Sequence, residues 1–396
     1  MRIPLIPVMV MAVFIVAIDF YIYVAAKKRY ASAMPSKIQF WSALVLYFGL
    51  IVTLCMPRKS GDDGTLVSIM WMLFTFISIY ASKLIFVVVD CIASIPLLFK
   101  RRHLSWLSVT GGVLSVITFL AMWWGALINR FRVQVNEVEI PVENLPAAFD
   151  GYKIVQISDL HTGTYGADTT FLSNLVCKVN SMNGDLIVFT GDIVNRHSHE
   201  LLPHISPLSQ LDAPDGVISI MGNHDYGDYA SWDSPEEKVA DIRALADMQA
   251  SMGWRLLKNE TEFIYHNGDS IAIIGVENVG DPPFTVYGSL SKSYPTLNDS
   301  VTKILLTHNP AHWSMDIADH EDVNIALTLS GHTHAMQMEV LGLSPAAFRY
   351  KNWGGLYYDS KNTHPLYVNI GAGTVGLPMR LGATPEITVL TLKKAK

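Results

Sequence analysis

Four long apolar stretches occupy the first third of the chain, and they constrain its fold more than any other feature. They run from about Pro4 to Ala26, Gln39 to Met56, Leu66 to Val89 and Leu104 to Ile128. A helix of about 20 apolar residues crosses a hydrocarbon core of about 30 Å, and each stretch is that long. Helices buried in a soluble core would carry longer polar faces. We therefore predict four transmembrane helices, the first an uncleaved span and not a signal peptide.

The charged residues divide the 396-residue chain near position 132. Residues 1–132 hold 13 of the 29 basic residues but only four of the 35 acidic ones. Such asymmetry marks a domain boundary. We predict a four-span transmembrane domain over 1–132 and a second domain over 133–396. The second domain is strongly acidic and lacks the basic footprint that nucleic acids require, so nucleic acid is excluded as a partner.

Basic residues in the loops between the spans indicate the orientation of the chain. The first and third loops contain seven of them: Lys27, Lys28, Arg29, Lys37, Lys100, Arg101 and Arg102. The opposite side has five: Arg2, Arg58, Lys59, Arg130 and Arg132. Basic loops stay in the cytoplasm. We therefore expect a multi-pass membrane protein whose termini and second domain are extracytoplasmic.

Three ionisable residues, Asp19, Lys83 and Asp90, lie within or beside the apolar spans. Charges inside a membrane often mark function, and Asp19 could pair with Lys83 inside a helix bundle. The alternative is that Lys83 extends its amine to the membrane surface and that Asp90 marks a helix end. The spans have no broken-helix signature, so we favour the second interpretation and regard transport as a weak hypothesis.

Polar motifs in the second domain each follow a short apolar run that predicts a buried strand. The runs are Ile154 to Ile157, Leu186 to Phe189, Val217 to Met221, Ile304 to Leu306 and Ile325 to Leu329. The motifs are Asp159-Leu160-His161, Gly191-Asp192, Gly222-Asn223-His224-Asp225, Thr307-His308 and Gly331-His332-Thr333-His334. Strand ends of an open α/β sheet meet at one edge, where ligands bind. Carboxylates mixed with imidazoles predict a transition-metal site at that edge.

These five motifs, in this order, resemble the signature of the calcineurin-like metallophosphoesterase superfamily. The resemblance extends over about Val135 to Leu392. It implies an α/β sandwich of two mixed sheets packed face to face with helices outside, which agrees with the alternating strand and helix patterns. It also implies a dinuclear metal centre and hydrolysis of phosphoric esters. Where the family has a second acidic residue after Gly-Asp, this chain has Asn195.

The resemblance assigns the ligands of two divalent ions, with Mn, Fe or Zn as the expected metals. One ion would be held by Asp159, His161, Asp192 and His334. The other would be held by Asp192, Asn223, His308 and His332, with Asp192 bridging the pair. Two such ions clamp a phosphate and activate a shared water for in-line attack. His224 would then protonate the leaving group, and Asp225 would fix the tautomer of His224.

The substrate is suggested by two features near the membrane and the last motif. The fourth span ends near Ile128 and a strand pattern begins near Val133, so the enzyme lies close to the bilayer. An aromatic and apolar run from Val340 to Tyr358 follows His334. Such a run suits the membrane interface, and the alternative is that it caps the sheet as ordinary core. The motifs around Phe149 to Ile154 and Thr307 to Pro310 also resemble the branch that contains UDP-diacylglucosamine pyrophosphatases. We therefore expect a phosphoester or pyrophosphate in a lipid-like substrate. Arg349, Lys351 and Arg380 could contact the phosphate, or Arg380 could instead form a structural salt bridge.

Two alternatives remain open at this point. The enzyme could be a phosphodiesterase or phosphatase that acts on a soluble molecule, with the helices as a tether. The domain could also be a non-catalytic membrane scaffold or receptor that uses the same fold for binding. Missing ligands would favour the scaffold. Metal identity and oligomeric state are not indicated by the sequence.

Overall fold

The computed structural model describes residues 5–60, 62–280, 282 and 285–395. It divides the chain into two compact units. One contains Met1–Gly61 and Thr65–Gly125, and the other contains Asp62–Gly64 and Ala126–Lys396. We call the first the membrane unit and the second the catalytic unit. The catalytic unit includes the 3-10 turn Asn129–Phe131, where the Asn129 side-chain amide donates to the carbonyl oxygen of Arg380 at 3.0 Å.

The membrane unit contains four long apolar helices, as predicted. They are α1 (Leu5–Arg29), α2 (Met34–Cys55), α3 (Asp63–Ser94) and α4 (Ser105–Leu127), with a 3-10 turn at Ile95–Phe99. All four are long and apolar enough to cross a membrane. The start predicted at Pro4 lies outside the described residues. Because most of their apolar side chains face outward, these helices require lipid as their solvent.

The charges inside the bundle are paired, which corrects the interpretation that we favoured from the sequence. Lys83 does not extend to the surface, because its amine donates to Asp19 at 2.7 Å. Asp90 does not end a helix. It lies buried within α3 and binds both terminal guanidinium nitrogens of Arg29 at 2.6 and 2.8 Å. Each carboxylate therefore joins α1 to α3, and the pairing of Asp19 with Lys83 is the alternative that we did not favour from the sequence.

The catalytic unit alternates strands and helices as predicted. Its strands are β1 (Gln134–Val142), β2 (Lys153–Ile157), β3 (Leu186–Phe189), β4 (Val217–Ser219), β5 (Trp254–Leu256), β6 (Glu260–His266), β7 (Asp269–Gly275), β8 (Lys303–Leu306), β9 (Leu327–Ser330), β10 (Gly355–Tyr357), β11 (Leu366–Val368) and β12 (Glu386–Lys394). Its helices are α5 (Thr170–Asn180), α6 (Ile205–Leu208), α7 (Pro235–Ser251), α8 (Leu290–Ser293) and α9 (Ala311–Asp316). Helix α7 begins with Ser234 as its N-cap, whose hydroxyl accepts from the Glu237 amide, and Pro235 occupies the first turn.

These strands form two mixed six-stranded sheets. The first has the order β1-β12-β2-β3-β4-β5 and the second the order β10-β11-β9-β8-β7-β6. Strands β2 to β5 are parallel, and so are β7, β8, β9 and β11. Apolar side chains of both sheets, such as Val188 and Leu306, share one buried cluster, while helices cover the outer faces. The predicted sandwich fold is confirmed.

Candidate metal centre

The predicted ligands lie at the carboxyl ends of five parallel strands, where the two sheets meet. Strands β2, β3 and β4 of the first sheet lead to Asp159, Asp192 and Asn223. Strands β8 and β9 of the second sheet lead to His308 and to the pair His332 and His334. Backbone hydrogen bonds join these ends, such as that from the Asp159 amide to the Gly191 carbonyl at 2.9 Å. The strand ends therefore bring distant motifs to one place.

The first cluster of ligand atoms consists of Asp159, His161 and His334. His334 Nε2 lies 3.2 Å from Asp159 Oδ1 and 3.1 Å from His161 Nε2. His161 Nε2 is also 3.7 Å from Asp192 Oδ2. These separations are those of neighbouring ligand atoms around an ion bound at about 2.0–2.2 Å.

The second cluster consists of Asp192, His308 and His332. His308 Nε2 lies 3.1 Å from Asp192 Oδ2, 3.3 Å from His332 Nδ1 and 3.2 Å from Asn223 Oδ1. The same oxygen of Asp192 thus faces His161 of the first cluster and His308 of the second. This is the position that a bridging carboxylate requires.

The backbone at these residues is held in an unusual conformation. Five of the predicted ligands have left-handed φ angles, namely Asp159 (53°), His161 (50°), Asp192 (60°), His332 (76°) and His334 (50°). Residues other than glycine seldom adopt this region, at a cost of about 1–3 kcal/mol each. Strain of this kind persists where the surrounding structure enforces it. Here it directs the side chains of successive motifs to one point.

Three glycines of the motifs permit the close approach of these loops. A Cβ on Gly222 would lie 2.2 Å from Asp192 Oδ1, and one on Gly331 would lie 2.4 Å from Asp159 Oδ2. Gly191 has a φ of +98°, and a Cβ there would meet His308 Nδ1 at 2.8 Å. A positive φ requires glycine only at position 191. At all three positions, a side chain would clash with a ligand residue.

The protonation states of the cluster suit metal binding. Burial opposes ionisation of Asp159, but His334 and His308 outweigh it and hold its pKa well below the usual value. Burial lowers the pKa of His332 to about 3 and lowers that of His334. Burial also acts to lower the pKa of His308, but the Asp192 carboxylate outweighs this effect and raises that pKa to about 9. An incoming cation would therefore displace a proton mainly from His308.

Outer contacts hold the ligands in place. His308 Nδ1 donates to the Thr190 carbonyl oxygen at 2.7 Å, which leaves Nε2 to face the cluster. The His332 amide donates to the carboxylate of Asp159 at 3.0 and 3.1 Å. The fully buried Arg380 places Nη2 at 3.1 Å from His334 Nδ1. Arg380 therefore contacts the back of a ligand, and our expectation that it could contact a phosphate is wrong.

His224 lies half-buried beside the clusters. Its Nδ1 donates to the Asn195 carbonyl oxygen at 2.8 Å, so Nε2 is the ring nitrogen available to a substrate. The ring of Tyr229 stacks on it with centroids 4.1 Å apart and planes at 16°. Tyr229 OH also accepts from Asn223 Nδ2 at 2.8 Å. Sequence reasoning missed Tyr229, although it lies only four residues after the Gly222–Asp225 motif.

Asp225 has a different role from the one that we predicted. Its carboxylate accepts from the backbone amides of Asp192, Ile193, Val194 and Gly222 at 2.8–3.2 Å. The Asn195 carbonyl, and not Asp225, bonds to Nδ1 of His224. Asp225 therefore secures the loop that carries Asp192, and the prediction that it fixes the tautomer of His224 is wrong.

The aromatic run after the last motif forms one side of the site and is partly exposed. Tyr350 OH lies 3.4 Å from His332 Nε2, and the Trp353 carbonyl accepts from the hydroxyl of Thr333. In contrast, Leu341, Leu343 and Phe348 are 98%, 76% and 95% exposed. The run therefore combines residues that pack beside the ligands with apolar side chains that protrude from the surface.

The donor set fits two divalent ions. It offers carboxylate, amide and imidazole atoms, and each cluster has its ligand atoms within 4.8 Å of one another. This mixture suits metals such as Mn, Fe and Zn.

Comparison with known proteins agrees with this geometry. The family model described as calcineurin-like phosphoesterase matches residues 152–336. A second model, described as the probable calcineurin-like phosphoesterase transmembrane domain, matches residues 1–130. The two matches cover the predicted catalytic motifs and the four helices.

Individual relatives match this chain over different lengths, and one of them combines both domains. A transmembrane protein with metallophosphoesterase domain from Danio rerio is 30% identical over 93% of this chain and 83% of its own length. An uncharacterised metallophosphoesterase from Bacillus subtilis is 33% identical over 67% of this chain and 87% of its own. A solved dimetal phosphatase from Danio rerio aligns with 56% of this chain and 88% of its own at 11% identity and a TM-score of 0.32. The chain therefore belongs to the calcineurin-like phosphoesterases, as a membrane protein of that family whose second domain is a metal-dependent phosphoester hydrolase.

Proposed function

We propose that the protein hydrolyses a phosphoester or pyrophosphate bond in a lipid-like substrate at the membrane surface. The observation that carries the lipid assignment is the exposure of Leu341, Leu343 and Phe348. They belong to the run that follows His334 and that places Tyr350 next to His332. Apolar side chains that protrude into water are costly unless a membrane or an apolar ligand covers them. The site of a soluble phosphatase has no need of them.

We assign one ion to Asp159, His161, Asp192 and His334, and the other to Asp192, Asn223, His308 and His332. When bound, the two ions would polarise the phosphoryl group and activate the attacking water. The chain itself supplies the shape of the site, since five ligands are fixed by left-handed backbone. No ligand of the family signature is missing, which argues against a non-catalytic scaffold.

His224 is assigned as the general acid. Its Nδ1–H is held by the Asn195 carbonyl, and Tyr229 restrains the plane of the ring. Nε2 can then donate its proton to the departing oxygen. His224 is suited to this task because Asn223, and not His224, points toward His308 and the second cluster.

The experiment that tests the lipid assignment compares two substrates on one enzyme. Phe348→Asp with Leu341→Asp should raise KM for a phospholipid or lipid diphosphate in mixed micelles by about ten-fold or more. Hydrolysis of soluble bis-nitrophenyl phosphate should stay within two-fold, because both side chains are exposed. Met336→Asp, at a 44% exposed side chain next to the last motif, provides a control for the added charge. Equal losses on both substrates would contradict the assignment, and hydrolysis of soluble esters alone would favour a tethered soluble-substrate enzyme.

We also propose that the catalytic domain is extracytoplasmic, on the strength of the basic first and third loops. Cys177 is exposed on α5 and provides a reporter. A membrane-impermeant maleimide should label it in intact cells, and Cys177→Ser should abolish the label that depends on this domain. Labelling only after permeabilisation would place the domain in the cytoplasm.

A further inference from the structure

A groove of about 1360 Å³ runs along the membrane unit, lined by residues of α1, α2, α3 and α4. This exceeds the volume of about 300–1,000 Å³ that is typical of small-molecule pockets. On α4 its lining extends from Ser105 to Ile117, which at 1.5 Å per residue is about 18 Å. One leaflet of the hydrocarbon core is about 15 Å deep. The groove therefore has the depth of a single leaflet.

The two ends of this groove differ in chemistry. The end where α1 finishes and α4 begins carries the basic side chains Lys28, Arg29 and His103, with the hydroxyl groups of Ser105 and Ser108. Farther along, the lining is apolar, with Val109, Val113, Val116 and Ile117 on α4 and Ile22 on α1. A positive polar end followed by a long apolar wall matches an amphiphile that has an anionic head.

The basic end is held in a fixed arrangement. Arg29 binds both oxygens of Asp90, and its Nη2 donates to His103 Nε2 at 2.8 Å. The hydroxyl of Ser108 lies 3.1 Å from the same His103 nitrogen. Arginine has five N–H donors, more than these contacts use, so its guanidinium can bind an anion while it stays anchored.

The surplus of positive charge comes from residues around Arg29. Asp90 balances the charge of Arg29, but Lys28 lines the groove as well. Lys37 at the start of α2, and Lys100, Arg101 and Arg102 before α4, add further basic residues. Each basic residue near a membrane surface favours anionic lipid about five-fold. The charge at this end is therefore complementary to a phosphate that carries a net negative charge.

We infer that this groove is a binding site for an anionic phospholipid. The phosphate would lie at Lys28, Arg29 and His103, and one acyl chain would lie along α4 toward Ile117. A soluble phosphate would leave the apolar length of the groove unfilled. The inference concerns the membrane unit alone and does not depend on the substrate proposed for the metal centre.

A pair of adjacent lysines tests the head-group end. Full-length protein in neutral detergent would be mixed with equal amounts of phosphatidylglycerol and phosphatidylcholine, and bound lipid counted by native mass spectrometry. Wild type should prefer phosphatidylglycerol by about ten-fold, and Lys28→Gln should reduce this preference about five-fold. Lys27→Gln should leave it within two-fold, because Lys28 and not Lys27 is among the groove residues of the described part of the chain.

A pair of glycines tests the acyl-chain end. A Cβ at Gly112 or at Gly49 would meet no described atom within 4 Å, so leucine fits at both positions. Gly112 lines the groove. Gly49 lies on α2 and is not among the groove residues of the described part of the chain. Gly112→Leu should reduce bound phosphatidylglycerol at least five-fold, and Gly49→Leu should not. Thermal unfolding in the same detergent shows that both variants are folded.

Several results would overturn the inference. One is equal retention of phosphatidylglycerol and phosphatidylcholine by wild type. Another is an equal loss of preference in Lys27→Gln and Lys28→Gln, which would indicate only the general charge of the loops. Full lipid retention by Gly112→Leu would show that the lipid does not bind in the groove. Competition by glycerol 3-phosphate at the concentration of the lipid would indicate a site for a soluble anion.

Discussion

The membrane unit buries Asp19 and Asp90, and the metal centre buries the ligands Asp159 and Asp192, but the surroundings of these carboxylates differ. In the membrane unit Asp19 accepts from Lys83, Gln39, Tyr47 and Tyr80 at 2.5–2.7 Å. All four donors belong to side chains of neighbouring helices. In the metal centre Asp159 and Asp192 face imidazole rings at 3.1–3.7 Å and otherwise accept mainly from backbone amides.

The difference explains why one set of buried charges is structural and the other chemical. A carboxylate that is saturated by a cation and hydroxyl groups is neutralised within the protein. Of the imidazoles around Asp159 and Asp192, His308 has a raised pKa, whereas His332 and His334 have lowered ones. The two carboxylates therefore need further cations from solution. The first arrangement stabilises a bundle, and the second stores binding energy for ions. Matched substitutions in the two regions should therefore affect different properties.

The largest effect should follow removal of the bridging carboxylate. Asp192→Asn, or chelation of the metals, should reduce hydrolysis at least about 10³-fold, because the transition-state charge then lacks its stabilising cations. Metal content would be measured by elemental analysis, and activity with a nitrophenyl ester. Undiminished hydrolysis by the metal-stripped enzyme would contradict the dinuclear assignment.

His224→Ala should lower kcat about 10²–10⁴-fold while both metals stay bound, because His224 donates a proton and is not a ligand. The loss should shrink for nitrophenyl esters, whose leaving group needs little protonation. The comparison of good and poor leaving groups is the measurement. His204→Ala, at a buried histidine that contacts the Gly166 carbonyl, is the control. Loss of metal in His224→Ala, or equal losses on all esters, would reject the acid role.

Tyr229→Phe should weaken binding of the second ion about 10- to 100-fold. The phenol oxygen accepts from Asn223 Nδ2 and so keeps Asn223 Oδ1 toward His308. Phenylalanine preserves the stack on His224, which separates this effect from the proton transfer. Tyr287→Phe, which removes a hydroxyl bonded to Asp228, is the matched control. Equal metal affinities of the two variants would show that Tyr229 does not position Asn223.

Much of the fold was predictable because its signals are local. Strand β3 was predicted with its observed bounds at Leu186–Phe189, and the four spans follow from apolar length alone. Strand β12 (Glu386–Lys394) was missed, although it lies between β1 and β2 in the first sheet. This strand lies far beyond the last motif in sequence. Its pairing with β2 is a contact between distant segments, which local sequence patterns do not predict.

The site was predictable in its residue types but not in its conformation. The motifs indicated which side chains converge, since strand ends of parallel sheets share an edge. The amino-acid sequence does not indicate that His161 or His334 adopts a left-handed φ. The partner of His224 was also wrongly predicted, because the Asn195 carbonyl belongs to another loop. The sequence suggested the pairing of Asp19 with Lys83 as one of two alternatives, and the packing of α1 against α3 decides between them.

In the membrane unit, Asp19→Asn should change stability and leave the chemistry alone. It removes the charge that Lys83 requires, at a cost of about 3 kcal/mol for a buried pair. The melting temperature in detergent should fall by several degrees, while kcat on a soluble ester stays within two-fold. Lys83→Met with Asp19→Asn should restore part of the loss, since no buried charge is then left alone. A fall in kcat at unchanged stability would link Asp19 to catalysis. It would contradict the distinction between structural carboxylates in the membrane unit and chemical ones in the metal centre.

The smallest effect is a pH dependence at Glu200, a buried carboxylate of the catalytic unit that accepts from the amides of Asn195, Arg196 and His197. Burial raises the pKa of Glu200 to about 7 from its usual 4.5. The folded state therefore binds the proton more tightly than the unfolded state, so this group's stabilisation is complete below about pH 4.5 and is lost as pH rises through about 7. Between pH 5 and 8 the loss should be about 2 kcal/mol. Glu200→Gln should remove it, which melting temperatures of the two proteins across this range would show. If both proteins lose stability in parallel between pH 5 and 8, another group titrates there and Glu200 is ionised throughout, like Asp159 and Asp192.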